Sequence, residues 1–252
     1  MKNLRVNNCT SNRTIWAIVP AAGVGKRMQS AIPKQYLPLN GRPVLEHTLN
    51  QLLANESIDG LVIALQEDDG YWEDISIETD KPVIRAPGGK ERADSVLNAL
   101  DTLLHLEGFD EDASEALWVM VHDAVRPCVR QQDIAKLASE VAANPNGGLL
   151  ALPVRDTKKR QASDATPASV SETVDRENLW HALTPQYFPA KALRKALEKA
   201  LAENLPITDE SSAMEIAGFS PLLVNGHEDN IKITRPEDLR LASLYLSARD
   251  DV

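Results

Sequence analysis

Between Ile15 and Lys34 the chain reads I-W-A-I-V-P-A-A-G-V-G-K-R-M-Q-S-A-I-P-K, so the small residues Ala21, Ala22, Gly23 and Gly25 lead directly into Lys26, Arg27 and, after Pro33, Lys34. An apolar strand that opens into a small-residue turn offers backbone N–H groups to an anion with little side-chain bulk in the way. Several cations in one short span point to a polyphosphate rather than a lone carboxylate. Two common phosphate motifs do not fit. A P-loop needs Gly where Pro20 stands and Ser or Thr where Arg27 stands. A dinucleotide fingerprint needs a third small residue where Met28 stands. A plain tight turn would explain the glycines, but not a cation fixed in Pro33-Lys34-Gln35-Tyr36.

Other chemistry-bearing residues recur after apolar runs: Gly88-Gly89 with Arg92 and Ser95, Asp123 with Arg126, Thr157, and Lys232 in the last short apolar run. The set has several cations, a strand-end carboxylate, and no Ser-His or Cys-His arrangement. It suits phosphoryl or nucleotidyl transfer, in which the protein positions reactants and offsets charge rather than supplying a nucleophile. Two anions held ~5 Å apart at an effective dielectric of ~20 repel by about 3 kcal/mol per charge pair. Cations plus Mg²⁺ are the expected remedy, with Asp123 beside the metal, directly or indirectly; its competing role is to cap the following turn.

The elements that would position these residues alternate. Apolar runs predict strands at 15–19, 61–65, 82–86, 117–122, 149–154 and 221–224, with another short apolar segment at 230–233. Helical periodicity predicts helices from Val44 to near Asn55, through Val96–Leu104, Ile134–Val141 and 191–203, from a cap at Thr208 or Asp209 to Ala217, and from a Thr234–Glu237 capping box to about Ser247. This order predicts a mostly parallel sheet covered by helices on both faces, with ligands beyond the carboxyl ends of its strands. Residues 107–116 are acidic and read as loop. The polar stretch 155–174 breaks the pattern. It reads as a solvated loop or a projecting hairpin arm, and alternation in Val170–Val174 favours the arm.

A length of 252 residues suits one large α/β domain, and a net charge of −10 argues against non-specific binding to nucleic acid or an anionic membrane. Cys9 and Cys128 lack metal-ligand spacing and read as reduced thiols. Residues 1–14 lack an apolar core and are expected to form a disordered extension before a single domain at 15–248. No run approaches the roughly 18 apolar residues of a membrane span, and a cytoplasmic protein is expected.

Taken together, Pro20-Ala21-Ala22-Gly23-x-Gly25-x-Arg27-Met28, Pro33-Lys34-Gln35-Tyr36, Gly88-Gly89-x-x-Arg92-x-x-Ser95-Val96 and Val121-His122-Asp123-Ala124-x-Arg126-Pro127 resemble the signature of 2-C-methyl-D-erythritol 4-phosphate cytidylyltransferases. Pro153-Val154-x-Asp156-Thr157, Thr173-Val174-x-Arg176, Trp180-x-x-x-Thr184-Pro185-Gln186, Thr208-Asp209-Glu210 and Asn230-Ile231-Lys232-Ile233-Thr234 continue it in the same order. The resemblance implies a Rossmann-like three-layer nucleotidyltransferase fold with a projecting β-arm. It also implies Mg²⁺-dependent transfer of CMP from CTP to methylerythritol phosphate, with release of diphosphate, in isoprenoid precursor synthesis.

By position, it implies that Ala21, Ala22, Gly23, Gly25, Gly89, Arg92 and Ser95 bind the nucleotide, and that Arg27, Lys34, Lys232 and Asp123 serve catalysis. Thr157, Arg176, Arg126 and Thr184 are expected to hold the methylerythritol phosphate. Thr157 and Arg176 would reach it from a partner subunit through the 155–176 arm, which implies a homodimer. Lys90 stands where relatives commonly carry Asp, and base reading there is expected to fall to the backbone. No fused cyclodiphosphate synthase domain is expected. Other readings are a relative acting on ribitol 5-phosphate, an NAD-dependent oxidoreductase and a non-catalytic nucleotide sensor. Met28 counts against the second of these; Arg27, Lys34, Asp123 and Lys232 together count against the third.

Overall fold

The computed structural model describes residues 13–23, 32–106, 116–163 and 166–250. Gly25 and Arg27 therefore lie outside the described residues, as do residues 1–12 and most of the expected acidic loop. The first strand, β1 (Thr14–Pro20), begins one residue before the expected one. Arg13, placed by sequence in the extension, is built into the fold: its Nη1 donates to the Val141 carbonyl at 3.1 Å, and its guanidinium lies 3.6 Å over the Trp118 ring.

A short hairpin, β2 (Pro38–Leu39) and β3 (Arg42–Pro43), leads into α1 (Val44–Leu53). The alternation then runs β4 (Gly60–Leu65), β5 (Val83–Pro87), α2 (Arg92–Leu104), β6 (Leu117–Val121), α3 (Gln131–Val141) and β7 (Gly148–Pro153). After the hairpin β8 (Lys158–Gln161) and β9 (Val170–Val174) come β10 (Trp180–Pro189), α4 (Ala190–Ala202), α5 (Glu210–Ile216), β11 (Leu222–Asn225) and α6 (Pro236–Asp250).

Seven strands form one sheet in the order β11-β7-β10-β6-β1-β4-β5. Its neighbours pair in parallel except around β10, which is antiparallel to both β6 and β7. The sheet is buried on both faces, as a parallel sheet between helix layers must be. Alternation along β1 divides the two cores. Ala17 and Val19 pack with Leu45, Leu49 and Leu137 of α1 and α3, whereas Trp16 and Ile18 pack with Val96, Leu100 and Leu193 of α2 and α4. Helix α6 closes a smaller cluster in which Val44, Val125, Cys128, Ile233 and Leu246 are buried.

Three local features were not given by the sequence pattern. The stretch 180–189, which no periodicity marks, is a ten-residue strand. The short apolar segment Asn230–Ile233 is irregular, with backbone groups satisfied outside the sheet: the Asn230 carbonyl by the Arg126 guanidinium and the Ile233 N–H by the Val125 carbonyl. At the start of α6 the capping carboxylate is Asp238 rather than Glu237; its Oδ2 accepts from the N–H groups of Thr234 and Arg235, each at 2.8 Å. The arm is a hairpin, β8 paired antiparallel with β9, and most of its residues are exposed on the isolated chain.

Candidate active site

The carboxyl ends of β1, β5 and β6 surround a cleft of about 270 Å³. Its wall is the backbone of Ala21, Ala22 and Gly23. The turn after β5 lies close against that wall, where a Cβ on Gly88 would stand 2.4 Å from the Ala22 Cβ, and against the first turn of α2, where one on Gly89 would stand 2.2 Å from the Asp94 Cβ. Glycine at 88 lets the two backbone turns approach each other, and glycine at 89 lets the turn pack on the start of α2. The Gly89 N–H donates to Ser95 Oγ at 2.9 Å, so Ser95 braces this turn from the first part of α2. Lys34, Arg92, Asp123 and Lys232 also line the cleft.

Asp123 is the centre of the charge arrangement. Its Oδ1 accepts from Arg92 Nε at 3.0 Å, while its Oδ2 accepts from Arg126 Nε at 3.1 Å and lies 3.0 Å from Lys232 Nζ. Burial alone would raise the Asp123 carboxyl, but Arg92, then Lys232 and Arg126, outweigh it and hold the group well below the usual carboxylate range. Behind Arg92 sits Glu210, almost wholly buried, which accepts from both guanidinium ends at 2.6 and 3.0 Å. Burial would lower the Arg92 guanidinium; Glu210 and Asp123 raise it instead. Glu210 is delivered by α5, whose cap Asp209 accepts from the Ser212 N–H at 2.9 Å.

A second layer fixes the Asp123 backbone. The pairing of β10 with β7 is irregular between Ala182 and Gln186, and Thr184 lies in that interval. Thr184 Oγ1 accepts from the Asp123 N–H at 3.1 Å and lies 2.9 Å from His122 Nδ1. His122 Nε2 lies 3.1 Å from the Arg126 carbonyl, which only accepts, so Nε2 carries the proton and Nδ1 accepts from the Thr184 hydroxyl. Burial pushes the imidazole down to about 4, so this pattern holds with the ring neutral. The Asn230 side-chain amide donates to the Thr184 carbonyl at 2.8 Å, and the Asn230 carbonyl accepts from Arg126 Nη1 at 2.7 Å. Lys232 is thus two residues from a point tied to both halves of the network.

The expected residues fall into three groups. Ala21, Ala22, Gly23, Lys34, Gly89, Arg92, Ser95, Asp123 and Lys232 come together at one cleft. Arg126 and Thr184 are placed differently from the expectation: both are buried behind Asp123, bonded to the protein's own groups, and neither lines the cleft. Thr157 and Arg176 lie on the exposed arm, where the Arg176 guanidinium donates to the Arg155 carbonyl, and they do not line this cleft either. Sequence reasoning gave no role to Glu210, His122 or Asn230. Their motif positions were visible, but only the fold shows which charge or backbone group each one meets. A larger hollow, about 440 Å³, opens beside Arg42 of β3 and Glu46 and Asn50 of α1, away from these strand ends and without converging cations among the described residues.

Comparison with known proteins agrees with this geometry. The model of the 2-C-methyl-D-erythritol 4-phosphate cytidylyltransferase family, IspD, matches residues 15–248. The enzyme of that name from Shewanella amazonensis is 50% identical over 240 residues, 95% of this chain and 96% of its own. The one from Aliivibrio fischeri is 51% identical over 237 residues, 94% of this chain and 95% of its own. Among solved structures, a 4-diphosphocytidyl-2C-methyl-D-erythritol synthase superposes with a TM-score of 0.78 at 35% identity, covering 93% of this chain and 99% of that one. The Francisella tularensis cytidylyltransferase gives 0.75 at 34% identity, covering 92% and 99%. With a cleft at the strand ends, cations gathered on one carboxylate and this degree of likeness along nearly its whole length, the chain belongs to the IspD family of 2-C-methyl-D-erythritol 4-phosphate cytidylyltransferases, CTP-dependent nucleotidyltransferases of isoprenoid precursor synthesis.

Proposed function

We propose that the chain transfers CMP from CTP to 2-C-methyl-D-erythritol 4-phosphate by a single in-line displacement on its own charge network. A 4-phosphate oxygen forms a new bond to the α-phosphorus of CTP, the bond from that phosphorus to the α,β-bridging oxygen breaks, and diphosphate leaves with the electron pair. The observation that carries this reading is the convergence of Arg92, Arg126 and Lys232 on Asp123 beside the open backbone of Ala21–Gly23. Lys232 and Lys34 offset the charge that accumulates around the α-phosphate; Arg27, assigned the same role from its motif position, lies outside the described residues. Preorganised cations of this kind each lower such a barrier by about 3 kcal/mol.

The donor set fits Mg²⁺ held largely by the substrate. A carboxylate has roughly four lone-pair sites. Arg92 occupies one on Oδ1 of Asp123, while Arg126 and Lys232 occupy those of Oδ2. Among the described residues one position on Oδ1 remains, which suits an ion that takes one or two carboxylates and completes its shell with phosphate oxygens and water. Bound there, Mg²⁺ would neutralise triphosphate charge.

The arm supports a homodimer. Thr157 and Arg176 do not line the cleft of their own chain, and the hairpin carrying them is exposed, so in this reading they complete the methylerythritol phosphate site of a second copy. Among the described residues no helix is long and apolar enough to cross a membrane. We assign the enzyme to the cytoplasm.

The test is diphosphate release with Mg²⁺, methylerythritol 4-phosphate and CTP, UTP, ATP or GTP in turn, repeated with ribitol 5-phosphate. Release with CTP and methylerythritol phosphate alone is expected. Release only with ribitol 5-phosphate would reassign the acceptor, and release with UTP equal to that with CTP would show that Lys90 has altered base choice.

A further inference from the structure

Two glutamines outside the catalytic set hold the backbone of the small-residue turn. Gln35 Nε2 donates to the Ala21 carbonyl at 2.7 Å, and Gln66 Nε2 donates to the Ala22 carbonyl at 2.6 Å. They arrive from different elements. Gln35 is buried in the one-turn helix Lys34–Tyr36, and Gln66 follows β4 directly on the surface.

The turn needs such holds. The sheet ladder ends where the Ala21 N–H donates to the Ala64 carbonyl, so no strand neighbour orients the peptide planes beyond it. Gly23 has no Cβ to restrict it, and a Cβ built there would meet nothing within 4 Å. In a trans peptide the carbonyl and the following N–H point in opposite directions. Fixing the Ala21 and Ala22 carbonyls on the glutamines therefore fixes the Ala22 N–H pointing away from Gln35 and the Gly23 N–H pointing away from Gln66, and both residues line the cleft.

The two holds are also joined to each other. Tyr36, next to Gln35, donates its hydroxyl to Asp69 Oδ2 at 2.8 Å and stacks on Tyr71 with ring centroids 5.0 Å apart. Asp69 and Tyr71 belong to the same loop as Gln66. The helix that presents Lys34 and the loop that grips Ala22 thus form one brace around the turn.

We propose that Gln35 and Gln66 are positioning residues for the phosphate groups of CTP: by holding two carbonyls back, they keep two backbone N–H groups aimed at the anion. This rests on the cytidylyltransferase reading. The test uses Gln66→Met and Gln35→Met, which keep approximate shape and neutrality and remove the donor. CTP dissociation constants and cytidine inhibition constants are measured for both variants and the wild type, with KM for methylerythritol phosphate alongside.

Each variant is expected to weaken CTP about tenfold, the worth of one charge-assisted hydrogen bond, and cytidine less than twofold. KM for methylerythritol phosphate is expected to stay unchanged. Equal loss for cytidine and CTP, or wild-type CTP affinity in Gln66→Met, would overturn the proposal. Gln66 is exposed, so that variant keeps the test open if Gln35→Met folds poorly. Failure of the wild type to release diphosphate from CTP would instead overturn the underlying activity.

Discussion

Glu210 holds the Arg92 guanidinium by both of its carboxylate oxygens, at 2.6 and 3.0 Å, while the Nε of the same guanidinium reaches Asp123. One arginine is therefore shared by a buried carboxylate with no access to ligand and a carboxylate that borders the cleft. The buried partner sets the position and plane of the guanidinium, and through it one side of Asp123. Arg92 acts here as a strut as much as a ligand group.

Glu210→Gln removes the charge and half of this fork while keeping the volume. The expected result is a stability loss of roughly 1–3 kcal/mol and a fall in kcat/KM of about tenfold. Chemical denaturation and steady-state kinetics on the same preparation check both. Full activity in a destabilised but folded variant would limit Glu210 to packing.

Lys232→Ala should act differently. Asp123 keeps Arg92 and Arg126 when Lys232 is lost, so the fold has no new unpaired buried charge. kcat is expected to fall by ~10²-fold or more, with little change in the denaturation midpoint. A wild-type kcat would remove Lys232 from the catalytic set.

Arg176→Ala is expected to raise KM for methylerythritol phosphate and leave CTP binding unchanged. If the arm serves a second copy, mixing Arg176→Ala with Lys232→Ala chains and allowing exchange should restore about a quarter of wild-type activity, because half of the dimers then carry one intact site. No recovery on mixing, with subunit exchange verified, would place Arg176 in the site of its own chain.

His122 gives a pH dependence whose sign follows from its neutrality. Its ordinary value is 6.5 and burial takes it to about 4 in the folded chain, so between those values the unfolded chain binds the extra proton. The stability it contributes is complete above about pH 6.5 and is lost as pH falls toward 4, amounting to about 2–3 kcal/mol between pH 7 and 4.5. Urea denaturation at both values, comparing wild type with His122→Gln, isolates this from the carboxylates. An equal pH slope in the two proteins would contradict the buried, neutral ring.

Much of this architecture was legible in advance. The apolar runs Ile15–Val19, Leu61–Leu65 and Leu117–His122 gave the parallel core because buried strands need little else. β10 was less legible: Trp180–Pro189 mixes exposed and buried residues and includes two prolines, so no periodicity marked it. The cleft itself was readable from residue types after strands, which is where Lys34, Gly89, Asp123 and others stand. The division between groups facing the ligand and groups facing the protein was not. Arg126 and Thr184 look like ligand contacts in sequence, yet their positions behind Asp123 depend on the irregular β10 pairing and the Asn230 segment. Asp238 displaced Glu237 as cap for a related reason: spacing admits both, and only the local turn selects one.

The reversed direction of β10 has a consequence for how this enzyme can diversify. Pro153, at the end of β7, stands opposite Trp180, at the start of β10, and the Val154 N–H donates to the Leu179 carbonyl at 2.9 Å, so the arm leaves and re-enters the sheet at adjacent points. Its ends are held together whatever lies between them, and loop-closure entropy grows only slowly with added length. The arm is therefore an interchangeable cassette plugged into a fixed socket. If the arm holds the acceptor as proposed, changes of length or side chain within it would retune acceptor preference while the nucleotide half of the sheet stays as it is.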